Sequence, residues 1–184
     1  MHRPALTAAV MLVSVAACEE MPPGNPNDGG QNWLCGREYA NQAWGYQRRG
    51  VVLDTAGNIW RYEIKGSPTA LVNPWQPKDL TSMNEDELKL RYNGAVTTGT
   101  KVPVDEIARH FPLIEQAASA TPTPPKSVGA DMGQNLLYCY TYNPAQRTYA
   151  QVMLDNKGDW ERTNPSPAAK TLSSWLNSAL GEVK

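Results

Sequence analysis

The sequence predicts an α+β fold, built of antiparallel hairpins with helices packed on one face. Three observations carry this. Residues 58–65 and 136–142 alternate apolar and polar side chains with the period of a half-buried strand. Two apolar runs, Val51-Val52-Leu53 and Val152-Met153-Leu154, each lead into an Asp-x-x-Gly step that suits a tight turn. Finally, Leu172, Trp175, Leu176, Ala179 and Leu180 recur at helical spacing between Ser166-Pro167 and Gly181.

From the N-terminal side, residues 37–45 read as opening with a short helix. Residues 47–54 form a strand, Asp54-Thr55-Ala56-Gly57 a turn, and residues 58–65 the return strand. Trp60, Tyr62 and Ile64 share one face of that strand, and Arg61, Glu63 and Lys65 the other. A Pro-rich loop carrying Trp75 follows. The next helix starts at a Ser82/Glu85 capping box, with acids in its first turn and Lys89 and Arg91 in its last, and ends at Asn93-Gly94. Val104, Ile107, Ala108 and Phe111 make a helical stripe that Pro112 must break or restart. Residues 120–126 are a stiff Pro-rich connection.

In the second half, residues 136–142 place Leu136, Tyr138, Tyr140 and Tyr142 on one strand face and Leu137, Cys139 and Thr141 on the other. Asn143-Pro144 turns the chain into a strand over 147–154, Asp155-Asn156-Lys157-Gly158 turns it again, and 159–163 returns. Ser166 then caps the last helix, with Pro167 at its first position, where the missing N–H costs nothing. The pattern around Asp54 and Gly57 recurs about 100 residues later around Asp155 and Gly158. Two readings fit: two related halves, 33–120 and 127–184, or convergence on the few residues that suit such a turn.

The N-terminus has its own logic. Arg3 gives a positive start, the apolar run up to Ala17 is far too short to span a bilayer, and Val15-Ala16-Ala17-Cys18 closes it. That tetrapeptide resembles the lipobox of bacterial lipoproteins. The resemblance covers residues 1–18 and implies that residues 1–17 are a signal peptide cleaved before Cys18, whose sulfur takes diacylglycerol. It also implies a membrane partner through the N-terminal lipid and a place in the cell envelope. Glu19, rather than Asp, after the cysteine favours the outer membrane facing the periplasm. Residues 18–32, with the run EEMPPGNPNDGGQN, cannot bury a core and read as a tether. Such a tether has a root-mean-square reach of about 20 Å and a maximum of about 50 Å.

Three cysteines occur in all, so setting Cys18 aside leaves Cys35 and Cys139. In an oxidising compartment an even pair is most often a disulfide, and this one closes a loop of about 105 residues. It would tie residues 33–184 into one globular unit.

Composition narrows the chemistry. Formal charge is −1, from 17 basic and 18 acidic residues, with no basic run of the kind nucleic-acid binding uses. Past the signal segment the only histidine is His110, which rules out a His-rich metal site, and it reads as a cap on the last turn of a helix. No GxSxG elbow, SxxK pair, GxGxxG or P-loop occurs, so no nucleotide or other cofactor and no catalytic residue is assigned. Glu85-Asp86-Glu87 read as first-turn acids, and the acids around Gly158 lack the spacing of a calcium loop. Six Trp and eight Tyr against one Phe leave aromatic residues as the remaining candidates, with Trp60, Tyr62 and Trp75 as a ligand-binding set. The reading is a non-enzymatic accessory or protein-interaction subunit that contacts another envelope protein. The alternatives are glycan or small-ligand binding through a Trp/Tyr surface, and a small carboxylate-dependent hydrolase.

Overall fold

The computed structural model describes residues 30–41, 43, 46–66 and 80–181. Cys18 and Trp75, with the signal-peptide and tether assignments up to residue 29, lie outside the described residues. The described elements run β1 (Trp33–Asn41), β2 (Tyr46–Asp54), β3 (Asn58–Gly66), β4 (Met83–Asn84), α1 (Glu85–Arg91), β5 (Val96–Lys101), α2 (Val104–His110) and α3 (Pro112–Ala118). They continue with β6 (Lys126–Ser127), β7 (Gln134–Asn143), β8 (Thr148–Gly158), β9 (Trp160–Thr163) and α4 (Pro167–Leu180). This is an α+β fold on an antiparallel sheet ordered β5-β3-β2-β1-β7-β8-β9-β6, with β4 added on β8.

The central strand corrects one expectation. Residues 33–41 form β1 rather than opening a helix at 37. Arg, Glu and Ala prefer helix by well under 1 kcal/mol each, and β1 is paired along its length with β2 on one side and β7 on the other. Cys35 lies directly opposite Cys139 in that second pairing, and the two form a disulfide buried at the middle of the sheet.

The first Asp-x-x-Gly folds as its composition demands. Asp54 accepts from the Asn58 backbone N–H at 2.8 Å, and Gly57 takes φ +85°. A side chain at Gly57 would also meet the Val102 carbonyl at 2.3 Å. The second does not repeat it. Residues 155–158 stay in β8, where Leu137 faces Asp155 and Gln134 faces Gly158, and the chain turns only at Gly158-Asp159. Strand order is nonetheless symmetric about the central pair, β3-β2-β1 against β7-β8-β9.

Side-chain alternation gives the sheet two cores. One holds Leu34, Cys35, Val51, Leu53, Leu137, Cys139, Val152 and Leu154 under Ile107 of α2, Ile114 and Ala117 of α3, and Leu172, Trp175, Leu176 and Leu180 of α4. Fully burying an aliphatic side chain of this size contributes about 1.5–3 kcal/mol. Ser166 accepts from the Ala169 N–H and Pro167 sits in the first turn, as the sequence dictates for α4. Pro112 likewise restarts the chain as α3.

The opposite face carries Val52, Tyr62, Met83, Leu88, Tyr92, Tyr138, Tyr140 and Tyr149. Leu88 belongs to α1, so the helices divide between the faces: α2, α3 and α4 on one, α1 on the other. Helix α1 starts two residues later than its composition suggests. Asn84 accepts from the Glu87 N–H at 2.9 Å while Glu87 accepts from the Asn84 N–H at 2.7 Å. Glu85 is thereby freed to accept from Trp33 Nε1 at 3.2 Å and the Tyr149 hydroxyl at 2.9 Å.

Candidate functional site

Two places concentrate polar chemistry. The first is buried beneath α1. Glu38 on β1 accepts from the Tyr62 hydroxyl at 2.6 Å and pairs with Arg48 of β2 at 2.8 Å and Arg91 of α1 at 3.1 Å. All three charged residues are no more than 6% exposed. Arg48 also donates to the Arg91 carbonyl, fastening the end of α1 to the sheet. Tyr92 shares hydroxyl hydrogen bonds with Tyr138 at 3.0 Å and Tyr140 at 2.6 Å.

Two glycines make room for this cluster. A Cβ at Gly36 would lie 2.6 Å from the Tyr138 hydroxyl, and one at Gly50 2.7 Å from that of Tyr62. The tyrosines thus cross strands whose inner faces carry no side chain at those points.

Burial by itself would raise the Glu38 carboxyl, but Arg91, Arg48 and the Tyr62 hydroxyl together hold it below its ordinary value. Burial and the nearby Glu38 charge push the Tyr62 hydroxyl well up, and burial does the same to Tyr92. These shifts favour the charged form of Glu38 and the neutral forms of Tyr62 and Tyr92. The cluster ties α1 to the sheet through Glu38, Arg48 and Arg91.

The second place is an open groove of about 290 Å³ beside the C-terminal end of α4, bordered by Arg37, Asn135, Leu137, Asp155, Lys157 and Asn177. Arg37 donates to the Gly181 carbonyl and to Asn177 Oδ1, holding the end of α4 where its dipole is negative. Lys157 pairs with Asp155 at 2.9 Å.

The residues singled out by sequence fall as follows. Cys35 and Cys139 are joined. Tyr62 is 1% exposed and belongs to the polar core, while Trp60 is half-buried with its Nε1 donating to Asp54 at 2.8 Å. They share a strand face, as alternation requires. His110 ends α2, donates through Nδ1 to the Glu106 carbonyl at 2.8 Å, and stacks on Trp175 with centroids 4.3 Å apart. Glu85, Asp86 and Glu87 occupy the first turn of α1, and Asp159 accepts from the Met132 N–H. Among the described residues no group of three His, Cys, Asp or Glu side chains is placed to hold a metal ion.

Sequence reasoning missed Glu38, Arg48 and Arg91. A period of two does put Arg48 on the face of Val52, four residues on, and that signal was available. Compared with protein-family models, with curated proteins and with solved structures, the chain matches none.

Proposed function

We propose that this chain is an exported lipoprotein, anchored through a lipidated Cys18 and acting by binding rather than turnover, as an accessory subunit of another cell-envelope protein. The observation that carries the reading is the Cys35–Cys139 bridge. A disulfide between central strands belongs to a protein that matures under oxidising conditions. It also uses two of the three cysteines, leaving Cys18, at the end of the lipobox, for a separate role. No helix among the described residues is long and apolar enough to cross a membrane, so attachment through the N-terminal lipid supplies the anchor in this reading.

The surface supports a protein partner at one particular end. The described chain enters at Gly30, beside the start of β1. Exposed apolar residues gather at the far end of the sheet, where β7 begins and β8 ends. There the Val128 and Met132 N–H groups both bond to Asp159, and Trp160 follows directly; all three side chains are at least 44% exposed. Strand length puts this end about 30 Å from the tether. Apolar side chains held at the end opposite the tether's attachment offer a surface to a protein partner. Outer-membrane attachment facing the periplasm is the location this reading favours.

Replacing Cys18 tests the anchor. In cells fed labelled fatty acid, Cys18→Ala is expected to abolish label uptake and leave an uncleaved or mislocalised precursor. Undiminished labelling of the variant would remove the lipoprotein reading.

A further inference from the structure

Beyond the end of α4 no described helix covers the sheet face on which α2, α3 and α4 pack, and register sets its side chains in two cross-strand rows. One runs Arg61, Val51, Arg37, Leu137, Asp155 from β3 to β8; the next runs Glu63, Arg49, Tyr39, Asn135, Lys157. Val51 and Leu137 are buried, and the remaining members are exposed or half-buried. The second row is polar throughout, and four strand spacings make it about 19 Å long.

Its charge is opposite in sense to that of the whole molecule. Four cations, Arg37, Arg49, Arg61 and Lys157, stand against two carboxylates, Glu63 and Asp155, in a chain whose formal charge is −1. Several of these groups are already fixed in place. The Arg49 guanidinium lies 4.6 Å over the Tyr39 ring, Arg37 is held against α4, and the Tyr39 hydroxyl donates to the Met132 carbonyl. The groove of about 290 Å³ sits where the rows meet Asn135 and Asn177, whose amides both donate and accept.

We propose that this shelf binds a carboxylated glycan, its cations pairing with the sugar carboxylates and its amides with the hydroxyls. Charge complementarity carries the assignment, and the Asn135 and Asn177 amides beside the cations, which both donate and accept, match hydroxyls rather than a surface of carboxylates alone. Within these two rows no exposed large apolar side chain occurs, and the one aromatic ring is covered by Arg49. A long polar row with interspersed cations suits a polymer that carries both hydroxyls and carboxylates.

The test uses the full chain, purified in detergent with its disulfide intact, and polygalacturonate as probe, with poly-L-glutamate and dextran as comparisons. Polygalacturonate is expected to bind, to weaken steeply when salt rises from about 50 to about 500 mM, and to outcompete both comparison polymers. Arg61→Glu with Lys157→Glu is expected to weaken binding by about tenfold or more, whereas Lys89→Glu with Arg109→Glu, equal in charge change but outside the shelf, changes it by less than about twofold. Arg61→Gln with Lys157→Gln gives the intermediate loss and covers the case in which charge reversal perturbs folding. No binding of the polygalacturonate, equal losses in the two Glu pairs, no loss in the shelf pairs, or equal affinity for poly-L-glutamate or dextran would each overturn the assignment. The test leaves the lipid anchor untouched, so its failure is separable from failure of the lipoprotein reading.

Discussion

The two faces of one sheet are built on different physics. Against α2, α3 and α4 the sheet packs aliphatic side chains and a disulfide, where shape and area decide stability. Under α1 it packs tyrosines around Glu38, Arg48 and Arg91, where hydrogen-bond direction decides it. The difference teaches that burial alone does not say how a core responds to change. The aliphatic face can accept a new side chain of similar volume. The tyrosine face cannot lose one oxygen without leaving a buried polar group short of a partner.

The largest expected effect is at the carboxylate. Glu38→Gln leaves two buried guanidiniums without their counter-charge and is expected to cost about 3–5 kcal/mol in denaturant unfolding. A loss below about 1 kcal/mol would break the comparison, because the cluster would then be no more demanding than surface charge. The same group sets an acid limb. Its folded carboxyl lies below the unfolded value of 4.5, so the stabilisation is complete above that pH and is lost as pH falls through the lower folded value. Unfolding free energy should therefore decline on acidification below about 4.5, and Glu38→Gln should flatten that decline.

Next in size is the bridge. Cys35→Ser with Cys139→Ser is expected to remove about 2–4 kcal/mol and to lower the melting temperature under oxidising conditions. Equal melting, or two titratable thiols in the unsubstituted protein, would reject it. The smallest effects sharpen the contrast best. Tyr62→Phe deletes only the hydroxyl that donates to Glu38 and is expected to cost about 1.5–3 kcal/mol, as a hydrogen bond to a charged group does. Leu172→Met in α4 changes more atoms yet should cost less than about 1.5 kcal/mol. A reversed order would mean that the two faces obey one rule.

What could be read from sequence divides along the same line. Helix α4 was legible from Ser166 to Gly181, because cap, first-turn proline and apolar stripe are local signals that agree. The Asp54–Gly57 turn and the alternation of β3 were legible for the same reason. The Cys35–Cys139 pairing followed from counting. The misreading of residues 37–45 came from tertiary pairing, which overrode the weak helical preference of Arg37, Glu38 and Ala40. Asp155-Asn156-Lys157-Gly158 misled because identical turn chemistry stayed in a strand once Gln134 and Leu137 paired across from it. The Ser82 cap lost to Asn84 for want of any signal separating two competent caps so close together.

The charged cluster was nearly invisible in one dimension. Glu38 and Arg91 meet across more than fifty residues, and charged side chains are normally assigned to the surface. The glycines gave no clue either, since their role is to let Tyr62 and Tyr138 cross. The cationic shelf depends on register between five strands, which no spacing in the sequence encodes. Grouping Trp60 with Tyr62 was right for the strand face and did not reveal that the face is an interior.

We propose an exported domain that keeps one cysteine for lipid and two for a bridge. Intact-mass analysis of the mature protein, followed by non-reducing peptide mapping, tests both parts at once. The predicted result is an N-terminal peptide beginning at Cys18 with diacylglycerol on its sulfur, together with a linked pair of peptides containing Cys35 and Cys139. A mature chain that retains residues 1–17, or carries an unmodified thiol at position 18, would contradict it.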